Sequence, residues 1–352
     1  MQSRSTNLRR LVRLRNCAIV RSGLTLAEVL VVIAIVGILL SLILPAIQSS
    51  REQARVVVCR SHLKQMVLAA TAYEASHRAF PYTSTSWMDS ATNPARRHFA
   101  VSAHRSLMPF LDPVCGRKVV FDDPTDPAWL SIPPTFFVSE SHRKLQRLRL
   151  PFLLCPSDVP VEGATNFRAN HGISVEALAP CATIESLAHK GAFVNGRAVP
   201  MAEFRDGLSQ TALFSERVLG DRQPATYDPF RDLFSDGKVY YDTPGFVQHC
   251  RNDAVPSPPS EYSFAGGSWL LGGLLNTWYL HVLSPNSQVP DCALGVGILD
   301  GGPGIVTARS FHHGGVHVGM ADGSVRFAAN TIAPQVWHAL GTRNGAESGQ
   351  LH

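Results

Sequence analysis

The chain has 352 residues, of which 45% are hydrophobic, and a formal net charge of +5 at pH 7. The positive excess comes from residues 1–23, which hold six arginines and no acidic residue, and the remaining residues carry 26 basic against 27 acidic side chains. Because residues 24–352 are close to neutral, they lack the net positive charge typical of nucleic-acid-binding proteins, and we expect no nucleic-acid partner.

The first predicted element is an apolar helix that follows this basic leader, residues 1–23. From Leu24 to Ile47 the only charged residue is Glu28, and the run is long enough to cross a hydrocarbon layer of about 30 Å. The arginines predict that the leader stays in the cytoplasm and that the chain after the span lies outside it. A signal anchor also explains this topology, but it leaves the carboxylate within the apolar run unexplained. A cleavable secretory signal would have a shorter apolar core.

The helical pattern continues beyond the apolar run. No glycine or proline occurs between Arg51 and His77, and apolar residues recur at spacings of three and four. These apolar residues are Cys59, Leu63, Met66, Ala70 and Tyr73. We therefore predict one helix over residues 24–77, with residues 24–47 in the membrane and the second half packed beneath a globular body.

Two features in the membrane run bear on its shape. Pro45 removes a backbone donor inside the helix and predicts a kink or a local loss of helix. Gly37 and Ser41 lie four residues apart and form a small-residue face that suits close helix packing. A flexible anchor with no packing role fits these residues equally well.

Residues 78–352 are predicted to form an extracytoplasmic α+β domain. Apolar runs shorten to strand length, and glycine, proline and aspartate become frequent between them. We predict an α+β fold in which the long helix packs on a mostly antiparallel β-sheet with large loop insertions. The clearest hairpin covers residues 316–329, where Asp322-Gly323 separates two alternating runs. Other predicted strands are Thr135–Val138, Thr211–Phe214 and Lys238–Tyr241, and the predicted short helices are Leu145–Leu148 and Pro334–Leu340.

Six cysteines lie beyond the leader, and none belongs to a Cys-x-x-Cys motif. Their spacing argues against a zinc ribbon, and cysteines outside the cytoplasm favour disulfides. Three bridges can be arranged in about 15 ways, and spacing does not decide among them. We expect Cys250 to pair with Cys292 and Cys59 with Cys155.

The amino-terminal segment resembles that of type IV prepilins and pseudopilins. The matching residues are Gly23 as the last leader residue, Leu24 as the first mature residue, Glu28 as the fifth and Pro45 as the twenty-second. The resemblance implies a pilin-like fold, cleavage after Gly23 by a prepilin peptidase and N-methylation of Leu24. It also implies that Glu28 neutralises the new amine of a neighbouring subunit. Leu24 departs from the family, which more often has Phe at this position.

Further motifs resemble one large bacterial prepilin-like family of unknown function. Its C-terminal signature is His, nine residues, then Asp-Gly, matched here by His312 and Asp322-Gly323. Four more family patterns recur, at Cys59–Gln65 (CRSHLKQ), Cys155–Asp158 (CPSD), Phe204–Thr211 (FRDGLSQT) and Pro285–Ser287 (PNS). The resemblance implies an enlarged extracytoplasmic domain on a pilin-like helix and no activity. Members have also been labelled solute-binding-like.

The sequence favours a structural protein over an enzyme, because it has no recognised metal-protease, phosphate-loop or nucleophile-elbow motif. We expect no catalytic residue, no cofactor and no bound metal. A weak candidate for a cation site is His312 with Asp322, and the alternative is that each residue stabilises a turn.

The resulting expectation is a single-pass protein of the inner (cytoplasmic) membrane. Its partners would be the membrane, a prepilin peptidase and other pilin-like subunits, in a pilus-like or type II secretion-like structure. The alternative function is a membrane-tethered solute- or carbohydrate-binding module.

Overall fold

The computed structural model describes residues 25–83, 87–88, 97–98, 102–120, 144, 147–175, 190–223, 226–235, 242–252, 261–293 and 303–345. Gly23, Leu24 and the predicted strands Thr135–Val138 and Lys238–Tyr241 lie outside these ranges. Of the helix predicted at Leu145–Leu148, the described residues Arg147 and Leu148 are not helical.

Helix α1 runs without interruption over Leu26–His77, 52 residues. It continues through Pro45, so the local loss of helix that proline permits does not occur, and the kink remains a prediction. The helix ends before Arg78, whose φ of 61° is incompatible with another helical turn. Within the described residues, α1 is the helix long and apolar enough to cross a membrane.

The chain divides into two compact units, Met1–Arg51 and Glu52–His352. In the first unit, the apolar side chains of α1 from Leu26 to Ile47 are exposed. In the second unit, which we call the body, the remaining turns of α1 bury Cys59 and a series of apolar side chains. The compact body therefore begins within α1 and includes the second half of this helix, and the extracytoplasmic location of residues 78–352 stays a prediction.

The body is built around two mixed, mostly antiparallel sheets. The larger sheet has the strand order β11-β10-β4-β3-β7, in which only the β3–β7 pair is parallel. Its strands are β3 (Phe167–Asn170), β4 (Ala212–Glu216), β7 (Trp278–Tyr279), β10 (Gly315–Met320) and β11 (Val325–Ala329).

The second sheet has the order β6-β5-β8-β9, with a parallel β5–β8 pair. Its strands are β5 (Leu233–Phe234), β6 (Glu261–Tyr262), β8 (Asp291–Ala293) and β9 (Gly304–Ile305). The other elements within the described residues are the strand pair β1 (Trp87–Met88) and β2 (Arg97–His98) and the helices α2 (Ala103–Leu111), α3 (Pro113–Val120), α4 (Thr243–Asn252) and α5 (Pro334–Gly341). Two 3₁₀ turns lie at Pro151–Leu153 and Met201–Glu203. The structure thus has the α+β architecture expected from the sequence, including a helix that matches the one predicted at Pro334–Leu340.

The main core lies between the body part of α1 and the larger sheet. Leu63, Met66 and Val67 of α1 belong to one buried cluster with Phe167 of β3 and Phe214 of β4. These α1 residues repeat at the three- and four-residue spacing that places them on one face of a helix. The amphipathic pattern read from the sequence therefore corresponds to a face buried against the sheet.

The C-terminal hairpin forms where the alternating runs predicted it. Strands β10 and β11 pair from Gly315 with Ala329 to Gly319 with Val325. Gly323 adopts a φ of 90° in the connecting turn, a conformation that glycine reaches without a steric penalty.

Candidate functional site

Two parts of the molecule are candidates for function: the amino-terminal end of α1 and the place where α1 joins the body. They belong to different compact units, and each has its own geometry. Gly23 and Leu24, the residues at which processing is predicted, lie outside the described residues, so the first part begins at Thr25.

The first turn of α1 contains a capping box formed by Thr25 and Glu28. The backbone N–H of Thr25 donates to the Glu28 carboxylate at 2.8 Å, and the Thr25 hydroxyl donates to it at 3.0 Å. The backbone N–H of Glu28 in turn donates to the Thr25 hydroxyl oxygen at 3.3 Å. This reciprocal pattern satisfies donors that a helix otherwise leaves free at its start. Glu28 therefore has a local partner within the single chain.

The second part is a group of side chains that we call the junction cluster, comprising the buried residues Cys59, Cys155, Glu216 and His312 and the partly exposed Glu52. Glu52 and Cys59 lie seven residues apart on α1, which places them on the same helix face two turns apart. Cys155 follows the first 3₁₀ turn, Glu216 ends β4, and His312 precedes β10. All five lie in the body unit.

Covalent and polar contacts hold the junction cluster together. A disulfide joins Cys59 to Cys155 with 4.9 Å between their Cα atoms, the pairing expected from the sequence. His312 lies between the other members: its Nδ1 is 3.2 Å from Oε1 of Glu52, and its Nε2 is 3.2 Å from Oε1 of Glu216. The same Nε2 lies 3.4 Å from Sγ of Cys155. A histidine 260 residues from Glu52 in the sequence thus connects α1 to the sheet.

The charges of the cluster stabilise one another. Burial alone would raise the pKa of the Glu216 carboxyl, but hydrogen bonds from His312 and His317 outweigh that effect and lower the pKa to about 2. Burial alone would lower the pKa of His312, and its hydrogen bonds to Glu216 and Glu52 reverse the direction and raise it. The imidazole of His312 therefore lies between two carboxylates, and these contacts favour the protonated form of the ring.

The loop Cys155–Asp158 supplies three separate connections. Besides the disulfide of Cys155, the Ser157 hydroxyl donates to Oε1 of Glu52 at 2.7 Å. The carboxylate of Asp158 accepts from the Leu219 backbone N–H at 2.7 Å and from the Arg231 guanidinium at 2.8 Å. The loop Cys155–Asp158 is therefore bound to α1 through Cys155 and Ser157, and Asp158 connects it to the segments that contain Leu219 and Arg231.

The segment from His312 to Gly323 runs along α1. His312 contacts Glu52, where α1 enters the body, and the carbonyl of Gly323 accepts a 2.6 Å hydrogen bond from Nζ of Lys64. Between these ends, Gly319 lies so close to α1 that an added Cβ would come within 2.3 Å of Val67. Glu52 and Lys64 are twelve residues apart, a distance of about 18 Å along a helix. His312 and Gly323 thus contact the same helix at two points, Glu52 and Lys64.

His312 and Asp322 have separate partners. Asp322 is exposed, and its carboxylate accepts from the backbone N–H and hydroxyl of Ser324 at 2.8 and 2.6 Å. His312 is buried between Glu52 and Glu216. The structure does not support a cation site formed by His312 and Asp322, because the Asp322 carboxylate closes its own turn.

A second disulfide joins Cys250 of α4 to Cys292 of β8, with 5.6 Å between the Cα atoms. It lies in a separate apolar cluster with Phe234 and Ile305, at the second sheet. This is the other pairing that the sequence analysis favoured.

Sequence reasoning did not single out Glu52, Asp291 or the arginines at 217 and 309. Asp291 is fully buried, 2.9 Å from Arg217 and 3.1 Å from Arg309. Glu52 had one available signal, since it lies seven residues before Cys59 on the same helical face. Asp291 directly precedes Cys292, but nothing local marks it as buried.

Comparison with known proteins shows the family to which the chain is related. The family model described as "Protein of unknown function (DUF1559)" matches residues 48–335, more than four fifths of the chain. The chain belongs to this family. The match begins about one helical turn before the body and includes all members of the junction cluster.

A curated relative resembles a shorter stretch. The chain is 38% identical over 63 residues to the type II secretion system core protein G of Pseudomonas aeruginosa. That match covers 18% of this chain and 44% of the relative, so the chain spans less than half the length of that protein. No solved structure matches the chain.

Proposed function

We propose that this protein is a pseudopilin-like structural subunit, which enters a pilus-like or type II secretion-like assembly through the exposed half of α1. The observation that carries the proposal is α1 itself: one helix with an exposed apolar half that bears Glu28 in its first turn and a second half that buries one face in the body. Similarity to a core protein of a type II secretion system supports the same class of assembly.

The proposed life history begins with export and processing. A prepilin peptidase cleaves after Gly23 and methylates Leu24, and the apolar run holds the protein in the inner membrane with the body outside the cytoplasm. The arginines of the leader support this orientation through the positive-inside rule. Two disulfides in the body support a location outside the reducing cytoplasm.

The proposal is of a structural role rather than a catalytic one. The ionisable groups of the junction cluster are paired with one another, and they connect α1, the larger sheet and the loop Cys155–Asp158. Such internal pairing suits a cluster that holds elements in place.

Glu28 is proposed to pair with the amine of Leu24 on a neighbouring subunit. After cleavage the amine lies four residues before Glu28, so each helix start carries one positive and one negative group. A charge in lipid is costly without a partner, and pairing across subunits sets their axial register. In the single chain, the same carboxylate instead accepts hydrogen bonds from Thr25.

The test separates the charge of Glu28 from its capping role. Glu28→Gln keeps a side chain that can complete a capping box but removes the charge. Thr25→Ala removes the capping partner and keeps the charge. We expect E28Q to be cleaved normally and to be lost from sheared fibres, and T25A to be cleaved and to enter them. Immunoblots of the membrane and fibre fractions measure fibre entry of both variants, and intact-mass analysis of the amino terminus measures cleavage.

Each alternative result has a distinct meaning. Loss of T25A together with normal entry of E28Q would show that capping matters and that the proposed pairing does not. A chain isolated from cells that still begins at Met1 would contradict processing, and with it the assembly role.

A further inference from the structure

The junction cluster holds four potential metal ligands of the types that zinc prefers. Sγ of Cys59, Sγ of Cys155, a carboxylate oxygen of Glu216 and a ring nitrogen of His312 all lie within 4.8 Å of one another, and all four residues are buried. Zinc sites in proteins combine cysteine, histidine and carboxylate ligands in a tetrahedron. We propose that reduction of the Cys59–Cys155 disulfide converts this cluster into a Zn²⁺ site with these four ligands.

The distances around His312 already suit such a tetrahedron. With Zn–S bonds of about 2.3 Å and Zn–N or Zn–O bonds of about 2.0–2.1 Å, neighbouring ligand atoms are separated by roughly 3.3–3.8 Å. Nε2 of His312 lies 3.4 Å from Sγ of Cys155, within this range, and 3.2 Å from Oε1 of Glu216, just below it. The main change needed is separation of the two sulfurs, to about 3.8 Å in such a tetrahedron.

The partners that orient zinc ligands are also present. Histidines bound to zinc commonly place their other ring nitrogen against a carboxylate, which fixes the ring and its tautomer. Here Nδ1 of His312 lies 3.2 Å from Oε1 of Glu52, and that oxygen is held by the Ser157 hydroxyl at 2.7 Å. Oε2 of Glu216 accepts from the backbone N–H of His317 at 2.7 Å, which leaves Oε1 turned toward His312.

The conversion balances as a two-electron reaction. A dithiol reductant supplies two electrons and two protons, the Cys59–Cys155 bond breaks, and the reductant becomes a disulfide. Zn²⁺ then displaces the two thiol protons and any proton on Nε2 of His312 to solvent. Oxidation reverses the sequence: the thiolates form the disulfide, two electrons pass to an oxidant such as a disulfide oxidoreductase, and the metal is released. The disulfide and the metal are therefore mutually exclusive, and a newly exported, reduced chain is the form that binds zinc.

The experiment uses the full chain in detergent, with Co²⁺ as a spectroscopic probe for zinc. Reduced, anaerobic wild-type protein is expected to bind one Co²⁺ per chain with thiolate charge-transfer absorption and intense tetrahedral bands, and Zn²⁺ should displace it. Oxidised protein should show neither signal. Cys59→Ser/Cys155→Ser should abolish the signal, and the matched Cys250→Ser/Cys292→Ser variant should retain it.

Variants that leave both disulfides intact provide the second arm. His312→Ala and Glu216→Gln each remove one ligand, and Glu52→Gln removes only the partner of Nδ1. We expect Co²⁺ affinity of the reduced protein to fall at least tenfold in each ligand variant and about tenfold in E52Q. Circular dichroism of the oxidised variants checks that they remain folded.

Three results would overturn the proposal. Reduced wild-type protein that fails to bind Co²⁺, whether folded or unfolded, excludes the site. Loss of the signal in the Cys250/Cys292 variant, while that variant remains folded, assigns the metal to the other cysteine pair. Undiminished affinity in both H312A and E216Q shows that binding does not use the junction cluster.

Discussion

Asp291 lies fully buried between Arg217 and Arg309, at 2.9 and 3.1 Å. Its carboxylate also accepts from the Thr307 backbone N–H at 3.1 Å. Burying one carboxylate is costly unless cations and donors surround it, and here two arginines on different loops converge on it. Because Asp291 belongs to β8 and Arg217 follows β4, this group fastens the second sheet to the first.

We predict that Asp291→Asn destabilises the body by about 3–5 kcal/mol at pH 7, because it leaves two buried guanidinium groups without their counter-charge. The matched control is Asp322→Asn, since Asp322 is exposed and asparagine can close the same turn. Denaturant unfolding of both variants measures the effect. A loss in D291N no larger than in D322N would contradict the role assigned to the buried carboxylate.

The same variant gives a pH dependence whose sign follows from the pKa of Asp291. Burial alone would raise that pKa, but the charges of Arg309 and Arg217 outweigh it and lower the pKa below its ordinary value. The stabilisation is therefore complete above the unfolded pKa of about 3.9 and is lost as pH falls through the lower folded value. The difference in unfolding free energy between wild type and D291N should stay constant from about pH 7 to 5 and narrow below about pH 4.

The C-terminal hairpin packs against α1, and the two backbones come close together at Gly319. An added Cβ at this position would lie 2.3 Å from Cγ2 of Val67 and 3.4 Å from Leu63. Strand β10 can therefore run against α1 only because residue 319 lacks a side chain. The contact lies between His312 and Gly323, the two ends that bind Glu52 and Lys64.

We predict that Gly319→Ala destabilises the body by about 1–3 kcal/mol, the usual cost of overpacking. Val67→Ala makes room for the new methyl group, so the double variant should lose less stability than the sum of the two single variants. The expected coupling is about 0.5–3 kcal/mol, measured by chemical unfolding in a double-mutant cycle. Gly37→Ala is the control, because its Cβ would meet nothing within 4 Å. If the stability changes of Gly319→Ala and Val67→Ala simply add in the double variant, the proposed close packing of the two residues is wrong.

Helix α1 contributes residues to both compact units, and this determines which truncated fragments of the chain can fold. Its body half supplies core residues at 63, 66 and 67 and, through Cys59, one end of a disulfide. Three buried apolar side chains contribute roughly 1.5–3 kcal/mol each, and a disulfide about 2–5 kcal/mol. Together these are comparable with the whole stability of a typical domain, about 5–15 kcal/mol.

We predict that a fragment starting at Ser49 folds and that one starting at Arg78 does not. The longer fragment keeps the junction cluster and the buried face of α1, whereas the shorter one exposes the sheet surface that α1 covers. Near-ultraviolet circular dichroism and thermal unfolding distinguish them: the fragment from Ser49 should melt cooperatively. Cooperative melting of the fragment from Arg78 would show that α1 is dispensable for the body.

Local patterns in the sequence were sufficient for several elements. The apolar run and the amphipathic repeat after Arg51 predicted α1, because the length of an apolar run and its periodicity are properties of nearby residues. Asp322-Gly323 between alternating runs predicted the β10–β11 hairpin for the same reason. Membership of a prepilin-like family of unknown function was also inferred from sequence patterns, and the family match supports it, but the sequence did not say what the residues of those patterns contact.

The junction cluster and the Asp291 group depend on the tertiary structure. His312 meets Glu52 across 260 residues of chain, and Arg217 meets Asp291 across 74. No local sequence pattern predicts such pairs. A charged residue is expected to be exposed, because it is buried only where the fold places an opposite charge beside it. The sequence determined the helix, its apolar half and the hairpin, and only the folded body decided which acids, histidines and cysteines share one buried site.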